Sequence, residues 1–182
     1  MSYLAAAVTL AGLLGIVNLL LSFGVIRRLR KHSELLARQA ADAHGPDGPL
    51  MLAAGQVAAP FEATANDGGA VSLASFTGQT LVGFFSPGCS ACEERMPSFL
   101  AYANDLADPS RVLAVVVGKP DRAEPLVAEL SPVARVVQEA SDGAVADAFA
   151  IRGFPSFLLV DPDGTVAASS LVMTELPVPA AA

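Results

Sequence analysis

The chain has no tryptophan, only two cysteines, and no histidine beyond His44 in its 182 residues. Each shortage excludes something. Two cysteines cannot supply the several bridges that staple a small secreted scaffold. With no other Cys and no later His, the C-terminal part lacks the four-donor set of a structural zinc site, so no metal is expected. Positive charge is also scarce there: residues 51–182 carry six Lys/Arg against fifteen Asp/Glu. Binding to nucleic acid needs a basic footprint to neutralise phosphates, and no such partner is expected. The acidity reads as a solubility feature.

Charge is missing altogether from Tyr3 to Ile26, twenty-four residues dominated by Leu, Ala, Val, Ile and Gly. About 20 apolar residues cross a hydrocarbon core of about 30 Å. Residues 1–26 are therefore expected to be a single transmembrane helix, with the lipid bilayer contacted through residues 3–26. Asn18, Thr9 and Ser22 are polar interruptions that a helix tolerates because its backbone is satisfied internally. A cleaved secretory signal is the competing reading. It would carry a basic n-region and an apolar stretch of roughly 7–15 residues. Here Met1-Ser2-Tyr3 has no basic side chain, the run is longer, and the basic cluster Arg27, Arg28, Arg30 and Lys31 follows it. Residues 27–54 read as a basic helical stalk closed by the linker Gly45-Pro46-Asp47-Gly48-Pro49, whose prolines and glycines end a helix. His32 and His44 lie in this segment without a second ligand nearby and read as solvated. Lys/Arg close to a span tend to stay cytoplasmic, so the cluster argues for a cytoplasmic domain on a single-pass cell-membrane protein.

From residue 55 to 182 the pattern changes to short apolar runs alternating with amphipathic segments. Thr80-Leu81-Val82-Gly83-Phe84-Phe85 and Arg111 to Val117 read as strands buried on both faces. Helices are expected over Ser90–Leu106, Asp121–Leu130 and Asp142–Ala150, and short strands over Ala134–Gln138 and Ser156–Val160. Asp161-Pro162-Asp163-Gly164 supplies a turn into a returning strand, Thr165–Leu171. Strand–helix–strand units closed by a hairpin give an α/β sandwich with a mixed central sheet.

The two cysteines form Cys89-Ser90-Ala91-Cys92, directly after a buried strand and at the opening of a helix. The first-turn N–H groups of a helix are unpaired and its dipole places partial positive charge there, which favours a thiolate at Cys89. Cys92, one turn on, shares that face and can attack a mixed disulfide formed at Cys89. A structural disulfide closing so short a loop would add little stability. The strand, turn, C-x-x-C, helix context therefore favours a working redox pair that needs no cofactor.

At these residues the chain resembles the thioredoxin superfamily, and within it the membrane-anchored branch of thiol–disulfide reductases typified by TlpA and ResA. Ala59-Pro60-Phe61-Glu62-Ala63 through Val71-Ser72-Leu73 is similar to that branch's N-terminal hairpin. Phe84 to Pro97 is similar to its active-site strand, turn and helix, and Gly153-Phe154-Pro155-Ser156-Phe157 to its cis-proline loop. The order of span, basic stalk and domain also resembles MauD-type maturation proteins. The resemblance implies Cys89 as nucleophile and Cys92 as resolving cysteine. It also implies a cis Pro155 against the Cys89 sulfur, with Phe154 and Gly88 at the client surface; spacing alone leaves a trans turn proline open. It implies client proteins with cysteines, a membrane or soluble electron donor, and an extracytoplasmic domain, against the charge cluster.

Three features depart from the superfamily. Gly83 stands where many thioredoxins place a buried Asp, Phe85 and Gly88 stand where tryptophans are common, and Thr174 to Ala180 is too short and Pro-rich for a closing helix. The last departure predicts a partly uncovered sheet face. Glu93 and Glu94 read as solvated first-turn residues. Two other functions fit parts of the pattern. A peroxiredoxin-like peroxidase wants Ser or Thr three residues before its reactive Cys, which Ser86 satisfies, and a Pro where Val82 stands. A non-catalytic anchored assembly module would make little use of the cysteines.

Overall fold

The computed structural model describes residues 49–177. The expected transmembrane helix and most of the stalk lie outside these residues. Among the described residues no helix is long and apolar enough to cross a membrane.

The order of elements is β1 (Glu62–Thr64), β2 (Ala70–Ser72), β3 (Thr80–Phe85), α1 (Ser90–Leu106), β4 (Val112–Val117), α2 (Pro120–Leu130), β5 (Arg135–Glu139), α3 (Ala144–Ala148), β6 (Ser156–Val160) and β7 (Val166–Ser170). Strands β1 and β2 form an antiparallel hairpin. The other five make one sheet in the order β5-β4-β3-β6-β7. Strand β3 is parallel to β4 and antiparallel to β6, so the sheet is mixed, as expected.

Burial on both faces explains why β3, β4 and β6 are almost wholly apolar. Alternation sorts their side chains into two cores. Val82, Phe84, Leu113, Val115, Leu158 and Val160 face the hairpin and α3. Leu81, Phe85, Val112, Ala114, Val116, Phe157 and Leu159 face α1 and α2. Helix α1 buries Cys92, Met96, Phe99 and Ala103, whose three- and four-residue spacing makes one stripe. Pro97 sits in its exposed flank and the helix continues through it.

Boundaries differ from expectation where polar contacts set them. The helix expected over 142–150 shortens to α3, because the Glu139 carboxylate accepts the N–H groups of Val145 (3.1 Å) and Ala146 (2.8 Å) and starts it there. Ala150, with φ 53, turns it off. The compact unit begins at Pro49 rather than at residue 55. Leu50 and Leu52 already pair with the domain: Arg152 N–H donates to Leu50 O (2.8 Å) and Leu52 N–H to Phe149 O (3.0 Å).

The tail also departs from expectation. Among the described residues no closing helix follows β7, yet a short turn at Met173–Glu175 folds back and buries Met173 and Leu176 in the core on the α1 side. The Tyr102 hydroxyl donates to Pro177 O at 2.6 Å and fastens the tail to α1. The predicted gap is thus filled by two side chains and one hydrogen bond. Leu176→Ala should lower unfolding free energy by about 2 kcal/mol, read as a lower urea midpoint with an unchanged slope. An unaltered midpoint would mean that the tail does not close this core.

Candidate active site

The site forms where β3 ends. Phe85 is the last buried strand residue, and Ser86-Pro87-Gly88 turns the chain out of the sheet. Gly88 has φ +78, and nothing lies near the position a Cβ would take. It is needed for the left-handed turn rather than for space, since an L side chain in that region costs roughly 1–2 kcal/mol. The turn sets Cys89 as the N-cap of α1. The Cys89 sulfur accepts the N–H of Cys92 at 3.2 Å, and its carbonyl accepts from Cys92 (3.0 Å) and Glu93 (3.2 Å). A cysteine thus takes the capping place usually held by Ser or Asp, using sulfur to satisfy an otherwise unpaired helix N–H.

The two cysteines are both free and differ sharply in exposure. Cys89 is half-buried at the surface, and Cys92 is 1% exposed beneath it. Burial, followed by the hydrogen bond to Cys89, pushes the Cys92 thiol up to about 12 from 9.0; a backbone contact with Ser86 and the Arg95 charge pull the other way. Cys92 is held as a neutral thiol. The consequence for stability has a definite sign. Below pH 9.0 the thiol is protonated in both folded and unfolded chains. Between there and about 12 only the unfolded chain ionises, so folding weakens as pH rises across that window.

The second wall comes from the loop before β6. The Phe154–Pro155 peptide is cis, and its carbonyl oxygen, Phe154 O, lies 3.7 Å from the Cys89 sulfur, which donates to it. The Ser156 hydroxyl donates to Gly153 O (2.8 Å) and closes the loop. Pro155 is buried, and Phe154 is half-buried against both cores. Cys89, Cys92, Gly88, Phe154 and Pro155, singled out from sequence, are therefore brought to the two adjoining turns. Glu93 and Glu94 are exposed on the first turn of α1.

Phe99 was not visible as a site residue. A Cβ built on Gly83 would lie 2.5 Å from Phe99 Cε2 and 3.1 Å from Phe85 Cε2. Phe99 therefore occupies the space that the buried Asp of many thioredoxins would need. Among the described residues no carboxylate acts on the Cys92 thiol, whose charged influences are Cys89 and Arg95. The pairing of Gly83 with a Phe one helix away was the available signal, and it needs the fold to be read. An open groove lined by Thr64, Asn66, Pro120, Glu124 and Gln138 contains neither cysteine; exchange with a protein disulfide requires an accessible sulfur rather than that pocket.

Exposure and protonation together predict selective alkylation. Reduced full-length chain treated with iodoacetamide at neutral pH should gain one adduct, on Cys89, with Cys92 modified only after unfolding. Peptide mapping that finds both residues modified at similar rates would contradict the buried, protonated Cys92.

Known proteins agree with this geometry. Residues 54–169 match the AhpC/TSA family. The thioredoxin domain of a thiol-disulfide oxidoreductase from Bacteroides vulgatus superposes with a TM-score of 0.57 and 30% identity, over 66% of this chain and 90% of that one. A thiol:disulfide interchange protein from Bacteroides sp. gives 0.55 and 30%, over 70% and 84%. A thio-disulfide isomerase from Thermus thermophilus, at 22% identity and TM-score 0.52 over 65% and 86%, shares the fold. No curated protein matches the chain. With its mixed sheet, its C-x-x-C at the head of α1 and a family match over most of its length, the chain belongs to the AhpC/TSA family and is an oxidoreductase of thioredoxin fold.

Proposed function

We propose that the chain is a membrane-anchored thiol–disulfide oxidoreductase that reduces or isomerises disulfides in specific client proteins. The observation that carries this reading is the pairing of an accessible Cys89 sulfur, set against Phe154 O, with a buried, protonated Cys92 one helical turn behind it.

The chemistry follows from that asymmetry. The Cys89 thiolate attacks one sulfur of a client disulfide, forming a Cys89–client bond and breaking the client's own S–S bond. The client's other sulfur leaves as a thiolate and can take up a proton. Once Cys89 is in a mixed disulfide, it no longer accepts from Cys92 or holds charge beside it, which removes two of the causes that raise the Cys92 thiol. Cys92 then gives up its proton to solvent or to the client thiolate and attacks the Cys89 sulfur. The Cys89–Cys92 disulfide forms, the client leaves with two thiols, and a reduced donor must return two electrons to the pair. If a client thiol attacks the mixed disulfide first, the outcome is isomerisation. With no acid at position 83 to relay the proton, Cys92 must lose it by another route before it attacks.

A peroxidase of the same family would need a group that stabilises hydroxide leaving from peroxide. Among the described residues the polar partners of the Cys89 sulfur are instead two backbone groups, Cys92 N–H and Phe154 O, and the neutral Cys92 thiol, and Val82 stands where that reading wants a proline. Anchoring rests on the uncharged run from Tyr3 to Ile26. Placing the domain outside the cytoplasm rests on the resemblance to the TlpA/ResA branch and to MauD-type architecture, since a folded domain can translocate despite a local basic cluster.

Cys92→Ala expressed in the native host should accumulate mixed disulfides at Cys89. They should vanish on reduction and be absent from a Cys89→Ala control. The compartment of the trapped proteins reports the side of the membrane on which the domain works. An absence of adducts under both oxidising and reducing growth would overturn the client-exchange reading.

A further inference from the structure

Leu50 is one of three large hydrophobic residues exposed among the described residues, at 36%. Unlike a frayed terminus, it is fixed. Its carbonyl accepts the Arg152 N–H at 2.8 Å, and Leu52 N–H reaches Phe149 O at 3.0 Å, so Leu50–Leu52 runs as a short pair alongside the loop that leads to Pro155. Its side chain turns onto Gly153: Leu50 Cδ2 lies 3.3 Å from the position a Gly153 Cβ would take, and Cδ1 3.6 Å. Gly153 directly precedes Phe154, whose carbonyl faces the Cys89 sulfur. Gly153 brings no side chain to this surface, and Leu50 supplies one.

A client that presents a disulfide to Cys89 must lay its chain past this loop. Phe154 O meets the Cys89 sulfur at 3.7 Å and Gly153 is the chain neighbour of Phe154, so residues flanking a client's reactive cysteine are the ones placed to meet Gly153 and the leucine covering it. Leu50 is still wet, and covering it with an apolar partner removes that surface from water. One backbone hydrogen bond at Leu50 and a second at Leu52 already hold the segment, so little ordering cost is added on binding. We propose that Leu50 is a specificity-determining residue that forms one wall of the client groove and favours disulfides flanked by an aliphatic or aromatic residue.

This inference rests on the thiol–disulfide exchange reading, and the test separates the two. Full-length chain is assayed with two peptide disulfides that differ only in Leu or Ser beside the reactive cysteine. Ellman's reagent, a small disulfide without flanking residues, is run in parallel to normalise for the cysteine pair. Wild type should favour the Leu peptide by roughly three- to tenfold in kcat/KM, through KM. Leu50→Ser should bring the preference to within about twofold, and Leu50→Phe should keep it, with circular dichroism verifying that both variants fold. Equal use of the peptides by wild type, or an undiminished preference in Leu50→Ser, overturns the role of Leu50 while exchange itself stands. Failure of wild type to reduce any of the three disulfides overturns both.

Discussion

The height of α1 above the sheet is set where Phe99 lies on Gly83. A side chain at position 83 would collide with the ring at 2.5 Å, so the missing side chain lets the helix seat directly on the central strand. Phe99 in turn meets Phe85 edge-on at 5.0 Å and stacks on Phe157 at 5.9 Å, tying α1 to β3 and β6 together. Aromatic contacts of this kind add to area burial. Both cysteines are carried by the N-terminal turn of that helix, and the cis loop opens β6. The distance between the two walls of the site therefore follows from how three aromatic rings pack.

The same packing shapes the chemistry. Filling the space beside Gly83 with a ring rather than a carboxylate leaves the buried thiol of Cys92 with no carboxylate beside it among the described residues. Cys89, capping the helix, keeps an accessible sulfur with a backbone donor on one side and a backbone acceptor on the other. One cysteine is thus accessible at the surface and the other is buried beneath it. That division requires no cofactor and depends on a burial difference across one helical turn.

Much of this was legible in the sequence. The almost wholly apolar runs at 80–85 and 111–117 announced strands buried on both faces, since only such burial tolerates that composition. The turn residues Gly88 and Gly164 marked breaks that the backbone confirms with positive φ. Other features depended on contacts between distant positions. Leu50 follows two prolines and two glycines and reads locally as linker, yet its pairing partner Arg152 lies a hundred residues on. The start of α3 hangs on Glu139, five residues ahead of it and on another element. The tail reads as too short to matter because its helix propensity is poor, but burial of Met173 and Leu176 needs no helix.

If the two thiols work as a pair, Cys89 and Cys92 cycle reversibly between dithiol and disulfide within one chain. Full-length protein equilibrated in graded mixtures of reduced and oxidised dithiothreitol or glutathione, acid-quenched and weighed by mass spectrometry, tests it most directly. A working pair gives one intramolecular disulfide, formed and lost in a single two-electron transition whose slope follows the Nernst relation. A chain that stays reduced throughout, or that oxidises only to intermolecular dimers, would contradict it.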